Sequence, residues 1–145
     1  MDLQITESID IFSNIGFLKT EIKNWKSRPD LEGRSQAHAP DNSYSFGINW
    51  APTNSTYLSI DVSGKSSFYY SDSHNNKSKS YKLTNINYGY IKDNWTYGIW
   101  IRNVFDTYYS LRGFYFGNEA PNFADTLYKR HGDPRHLGVT VRYDF

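Results

Sequence analysis

Hydrophobic and polar residues alternate with a period of two along much of this chain. That pattern turns successive side chains to opposite faces of an extended strand. Over residues 43–50, Tyr44, Phe46, Ile48 and Trp50 fall on one face, and Ser43, Ser45, Gly47 and Asn49 on the other. A second strand is predicted over 56–70, with Leu58, Ile60, Val62, Phe68 and Tyr70 opposed to Tyr57, Ser59, Asp61, Ser63, Lys65 and Tyr69. At roughly 15 residues it is longer than ordinary strands and suits one that crosses a bilayer at a tilt and projects beyond it. Ile9, Ile11, Ile15 and Phe17 alternate with Asp10, Asn14 and Gly16, although Phe12 and Leu18 break the polar side. Ile86, Tyr88 and Tyr90 alternate with Asn85, Asn87 and Gly89. Trp95, Tyr97, Ile99 and Ile101 alternate with Thr96, Gly98 and Arg102, with Trp100 out of place among the polar residues. The chain closes with Leu137, Val139, Val141, Tyr143 and Phe145 against His136, Gly138, Thr140, Arg142 and Asp144. Leu3 and Ile5 mark residues 1–6 as part of one further strand.

The connections alternate in length. Short turns are predicted at Glu7-Ser8, 52–55 and 92–94, and longer loops at 23–42, 71–79 and 117–134. Short and long connections in strict alternation are the mark of an up-and-down membrane barrel, with tight turns at one rim and long loops at the other. A Greek-key sandwich has no reason to alternate so regularly. The expected fold is therefore all-β: an antiparallel, up-and-down transmembrane β-barrel segment of about six full strands plus part of a seventh. A soluble or surface β-sandwich binding module is the alternative, with the same apolar faces turned into a core. A small closed barrel of about eight strands ranks lower, since too few full strands are found. Tyr90, Trp95, Trp50, Tyr143 and Phe145 gather near the short-turn ends, and Phe68, Tyr70, Phe114, Tyr115 and Phe116 toward the long-loop ends. Two such aromatic girdles around an aliphatic band are what two water–lipid interfaces favour.

Composition sharpens this picture. Of 145 residues, 18% are aromatic, with 13 Tyr, 9 Phe and 4 Trp, while only 38% are hydrophobic. Mean hydropathy is −0.71. Apolar surface carried by aromatics beside many Ser, Asn and Asp suits strands with one greasy and one wet face. Sixteen Lys and Arg against fifteen Asp and Glu leave a net charge of +1 and no basic stripe, which does not favour nucleic acid as a partner. With no Cys, disulfide frameworks, Cys-based zinc sites and thiol catalysis are excluded. No stretch approaches the 18 or so apolar residues of a membrane-spanning helix, and residues 1–22 lack the pattern of an export signal. A barrel protein needs that signal, so the true N-terminus is expected to lie upstream.

Site chemistry is sparse. His131 and His136 stand five apart, a spacing that fits no helical metal pair, so no metal site is expected. Ser43, Ser45, Asp61 and the histidines can be assembled into a triad only on paper, since no nucleophile elbow accompanies them. An outer-membrane hydrolase is thus a distant third reading, and neither catalytic residues nor a cofactor are expected.

Two segments resemble a known family. WTYGIWIRNVFDTYY at 95–109 and GDPRHLGVTVRYDF at 132–145 are similar to the last two strands of TonB-dependent receptors. IGFLKTEI at 15–22, HAPDNSYSFGINW at 38–50 and SDSHNNKSKSYKLTN at 71–85 fit the same pattern, so the resemblance covers essentially the whole chain. A terminal Phe145 behind Val139, Val141 and Tyr143 resembles the signal read by the barrel-assembly machinery.

The resemblance implies the C-terminal portion, residues 1–145, of a barrel of about 22 strands with a plugged lumen. It implies location in the bacterial outer membrane, in contact with its lipid. It further implies active import of a scarce nutrient such as a ferric siderophore, energised by the TonB complex in the full-length protein. The plug domain and signal peptide are expected to precede this segment, and the isolated segment is not expected to transport. Ligand contacts are expected in the long loops, where aromatic faces and Arg suit anionic aromatic chelates. The candidates are Trp25, Arg34, His38, His74, Tyr115, Phe123, Tyr128 and Arg130.

Overall fold

The computed structural model describes residues 1–72 and 74–145. The strands are β1 (Asp2–Thr6), β2 (Ile9–Phe17), β3 (Asn42–Thr53), β4 (Thr56–Lys65), β5 (Tyr81–Lys92), β6 (Trp95–Arg102), β7 (Ser110–Phe116), β8 (Thr126–His131) and β9 (His136–Tyr143). Seven of them form one antiparallel sheet in the order β1-β2-β3-β4-β5-β6-β9, and β7 and β8 pair as a separate hairpin. The expectation of six full strands and part of a seventh is met, with β1 as the short member. The sheet is a meander, the topology of an up-and-down barrel wall.

Register explains the face pattern. Leu3, Ile11, Ile48, Ile60, Ile86, Ile101 and Leu137 are successive cross-strand partners and form one aliphatic row across the whole sheet. The next row toward the short turns is Ile9, Trp50, Leu58, Tyr88, Ile99 and Val139. These side chains stay open: Ile99 is 53% exposed and Val139 68%. Among the described residues no second wide sheet covers this face. The sandwich alternative therefore fails, because the core it requires does not form.

The opposite face is knitted by polar pairs. Ser59 Oγ donates to Asn49 Oδ1 at 2.7 Å, Asn85 Nδ2 to Asp61 Oδ2 at 2.8 Å, and Arg102 stands 4.0 Å from Asp61. Such cross-strand contacts each stabilise a sheet modestly. The aromatics that break the polar pattern have a common explanation. Phe12, Tyr57 and Trp100 lie flat over their cross-strand partners Gly47, Gly89 and Gly138, where a Cβ would collide with the ring. A glycine partner leaves room for the ring to lie along the sheet and pack on backbone.

All three short turns lie at one end. Ser8 N–H donates to Thr6 Oγ1 and Ser55 N–H to Thr53 Oγ1, each at 3.2 Å, so two of them carry the same local hydroxyl cap. Asp93 turns the third with φ +53°, a conformation Asp tolerates. The aromatic girdle at this end is present: Trp95 and Tyr143 rings lie 4.8 Å apart and Tyr143 and Phe145 rings 5.1 Å. The second girdle is corrected. β4 ends at Lys65, not at Tyr70, and Phe68 and Tyr70 are each only 3% exposed within the following loop. Phe114, Tyr115 and Phe116 belong to β7, inside the last long loop and off the main sheet. The predicted loop at 117–134 accordingly widens to all of 103–135, between β6 and β9.

Candidate functional site

The long connections, 18–41, 66–80 and 103–135, emerge at the end opposite the short turns and pack into one cap. The buried core of the molecule sits here rather than in the sheet: Ile22, Leu31, Phe68 and Tyr70 are its buried apolar residues, with Leu31 fully enclosed. Pro29 opens the short 3-10 turn Pro29–Leu31 that carries Leu31 inward.

Arg34 joins the first loop to the second. Its guanidinium donates to the main-chain carbonyls of His74 and Ser71, the latter at 2.6 Å, and to Asn75 Oδ1 at 2.9 Å. Its plane lies 4.3 Å from the Tyr69 ring centroid. Only 9% of the side chain is exposed. Asp72 Oδ1 accepts the Ala37 N–H at 2.7 Å, and His38 N–H donates to Tyr69 O at 2.9 Å, so the two loops share several crossing bonds.

The second loop meets the hairpin through His74, whose ring lies 4.2 Å from that of Tyr115. His74 Nδ1 accepts the Asn76 N–H at 3.0 Å, which leaves the imidazole proton on Nε2 in the neutral ring. Burial, followed by the Arg34 cation, pushes the His74 pKa below its usual 6.5. Tyr70 packs on Gly113, where any side chain would strike its ring, and Lys129 stands 5.6 Å over that ring.

The third loop is clamped at its base by the motif that carries the resemblance. Asn103 is 4% exposed, with φ +49°. Its Nδ2 donates to Thr107 O at 3.0 Å and Asp133 O at 3.1 Å, and its Oδ1 accepts the Thr107 N–H at 2.8 Å. Asp106 Oδ1 accepts the Arg135 N–H at 2.7 Å. One amide and one carboxylate thus tie the limb leaving β6 to the limb entering β9, and NVFD and GDPR are two halves of one clasp.

The candidate ligand residues fall into distinct places. Arg34, His74 and Tyr115 are brought together, with Arg34 and His74 occupied in the cap interior. Tyr128 donates to Glu119 Oε1 at 3.0 Å and packs on Phe116 at 5.1 Å, near the tip of the hairpin, where Phe123 is 61% exposed. Trp25 lies apart, lining a cleft with Lys23, Gln36 and Asp72. His38 is exposed with its ring 5.6 Å from Phe68. Partial loss of hydration, then the Arg112 cation, lower its pKa. Arg130 is exposed on β8 opposite Arg112. The reading from sequence overlooked Lys77, Lys79 and Lys129, which converge with Tyr70, Tyr108, Tyr109 and His131 around one cleft. The only sequence signal for them is Lys77 and Lys79 spaced two apart, which places both on one side of an extended segment.

No family model matches the sequence. Solved structures do match. The ferric yersiniabactin uptake receptor FyuA from Yersinia pestis aligns with 99% of this chain at a TM-score of 0.82 and 15% identity. The siderophore receptor PiuA from Acinetobacter baumannii aligns with 97% at 0.76 and 13% identity, and the ferric-catecholate import receptor Fiu from E. coli K12 with 94% at 0.70 and 18%. The chain spans 22%, 20% and 19% of these three receptors. The fold of this chain is therefore that of one arc of the β-barrel of siderophore receptors, the TonB-dependent architecture that its last two strands resemble.

Proposed function

We propose that this chain is the C-terminal arc of an outer-membrane receptor that binds an iron chelate at its outer rim and imports it. In the complete protein the TonB complex supplies the energy. The observation that carries the reading is the aliphatic row from Leu3 to Leu137, open on one face and backed by a hydrogen-bonded polar face on the other. In water such a face is a liability, whereas against lipid it is the ordinary exterior of a barrel. The polar face then borders the hydrated lumen. The strands of 8 to 12 residues that flank the long loops suit the length needed to cross a bilayer at a tilt.

The Trp95–Tyr143 girdle sits at the inner interface in this reading, and the packed cap faces outward. A capped rim that carries cations and aromatic rings supports chelate recognition, and the named neighbours are a siderophore receptor, a ferric yersiniabactin uptake receptor and a ferric-catecholate import receptor. Val139, Val141, Tyr143 and Phe145 are the segment offered to the barrel-assembly machinery during insertion. Spin labels at Ile60 and Asp61 of the full-length protein in vesicles test the orientation. Ile60 should be accessible to oxygen dissolved in lipid and Asp61 to a water-soluble relaxant. The opposite assignment, or no lipid contact at either site, would reject the receptor reading.

A further inference from the structure

A cleft of about 490 Å3 opens between the 66–80 loop and the β7–β8 hairpin. Its volume lies within the roughly 300–1,000 Å3 of small-ligand sites. Lys77, Lys79 and Lys129 converge on it with His131, Tyr70 and Tyr109, and no carboxylate lines it. Two other clefts of the cap mix charges, Lys19 facing Glu21 and Asp41 in one and Lys23 facing Glu21 and Asp72 in the other, while a cleft at the base of the cap holds two lysines, Lys65 and Lys82, without a carboxylate.

Among the described residues none of the three lysines has an ion-pair partner. Aromatic rings hold two of them instead: Lys77 Nζ lies 4.3 Å from the Tyr69 centroid and Lys129 Nζ 5.6 Å from that of Tyr70. A ring orients an ammonium without neutralising it, so the positive field remains available to an incoming anion. The mouth is aromatic and braced. Tyr108 and His131 stack at 4.4 Å and share a hydrogen bond of 2.8 Å between hydroxyl and Nε2, while Tyr109 packs on Tyr81 at 4.6 Å.

We infer that this cleft binds a polyanionic aryl iron chelate of the catecholate or phenolate class, and discriminates against neutral hydroxamate chelates. The inference rests on the receptor reading and adds to it the class of ligand and the residues that select it. Lysine ammoniums donate to phenolate oxygens that bear the ligand's charge, and tyrosine rings meet its aryl arms edge-on or stacked. A neutral chelate of equal size forfeits the first of these interactions and leaves three ammoniums to be desolvated without compensation.

The test uses the purified full-length protein in detergent, with tryptophan fluorescence titrated by a synthetic ferric tris-catecholate or a neutral ferric tris-hydroxamate. The catecholate should bind at least about tenfold more tightly, and its affinity should fall as salt rises from about 10 mM to about 150 mM. The combined substitutions Lys77→Gln, Lys79→Gln and Lys129→Gln should weaken it by about 100-fold or more, as loss of two charge-assisted contacts would, and leave the hydroxamate unaffected. Heat-modifiable migration checks that the variant is folded. Should it not fold, the preference and salt dependence of the unsubstituted protein decide. Equal affinity for both chelates, or a catecholate affinity indifferent to salt, would overturn the inference and leave the receptor reading standing. A folded barrel that binds neither chelate would overturn both.

Discussion

Replacing Arg34 by Leu should detach the first loop of the cap from the second while leaving the barrel wall intact. The guanidinium donates to two main-chain carbonyls, of Ser71 and His74, and to the Asn75 side chain. Hydrogen bonds from a charged donor are each worth about 1.5–3 kcal/mol, and the two carbonyls would lose their donor when Arg34 is removed. Against this stand the desolvation of a nearly buried cation and an Arg34 Nε with no protein partner. Asp72, 4.0 Å away and about half exposed, adds little in water. The balance is about 3 kcal/mol, or roughly a hundredfold in the equilibrium for local opening.

Hydrogen exchange on the full-length protein reads this directly. The amides of Ile22, His38 and Tyr70 donate within the cap, to Arg34 O, Tyr69 O and Asn76 O. Each should lose about two orders of magnitude of protection, while β4 amides keep theirs. Arg34→Lys should recover only part, because an ammonium cannot reproduce the planar fork or its stacking on Tyr69. A change below about threefold at His38 and Tyr70, or an equal loss in β4, would refute the assignment of Arg34 as the loop clasp.

Ile60→Arg, in the aliphatic row, should destabilise the barrel in vesicles by about 2–4 kcal/mol, and Ser63→Arg, on the polar face of the same strand, by less than about 1 kcal/mol in urea unfolding. Gly89→Ala should lose about 1–3 kcal/mol, since the new methyl group meets the Tyr57 ring. Adding Tyr57→Ala should return at least half of that loss, and additive effects in the double-mutant cycle would exclude the ring-on-glycine contact. His74 supplies a pH dependence. Its folded pKa lies below the ordinary 6.5, so below pH 6.5 the opened cap binds a proton that the closed cap does not. Cap stability should be complete above that pH and decline as pH falls toward the folded pKa, as followed by exchange at Tyr70. His74→Gln should flatten the profile.

The wall was legible in the sequence because a strand with one apolar and one polar face must alternate, and register follows from keeping Ile11, Ile48, Ile60, Ile86 and Ile101 in one row. The cap was not, for a reason visible at Phe68 and Tyr70. They continue the period-two pattern of β4, but the chain leaves the sheet at Lys65; Phe68 then packs on His38 and Tyr70, and Tyr70 on Gly113 and Lys129 from a loop more than forty residues away. Periodicity reports which side a residue faces and is silent on what covers it. Phe114 and Tyr115 mislead similarly, because their hairpin alternates as a wall strand does. Trp100 breaks the alternation because its partner Gly138 leaves room for the ring, and that pairing is a property of two strands rather than of one. Asn103 and Asp106 read as a family motif before their purpose was apparent, since the groups they hold, Asp133 O and Arg135 N, lie some thirty residues on.

Wall and cap expose opposite chemistry, and this separates what each can contribute to function. The wall exposes its apolar rows and uses its hydrogen bonds along the sheet. In a receptor barrel both outer strands, β1 and β9, pair with further strands, because unpaired backbone groups in hydrocarbon cost several kcal/mol each. In that setting every wall residue would be constrained by register and by lipid, which leaves little scope for selecting a ligand. The cap instead closes on its own small core of Ile22, Leu31, Phe68 and Tyr70, fixed to the wall through the clasp at Asn103 and Asp106. Lys77, Lys79 and Lys129 line the cleft beside that core without an ion-pair partner among the described residues, and Lys77 and Lys129 touch it only through ring faces, so substitution there alters charge and shape at little cost to register. Ligand preference should therefore change at these positions before any change is tolerated in Arg34, Asn103 or the aliphatic row.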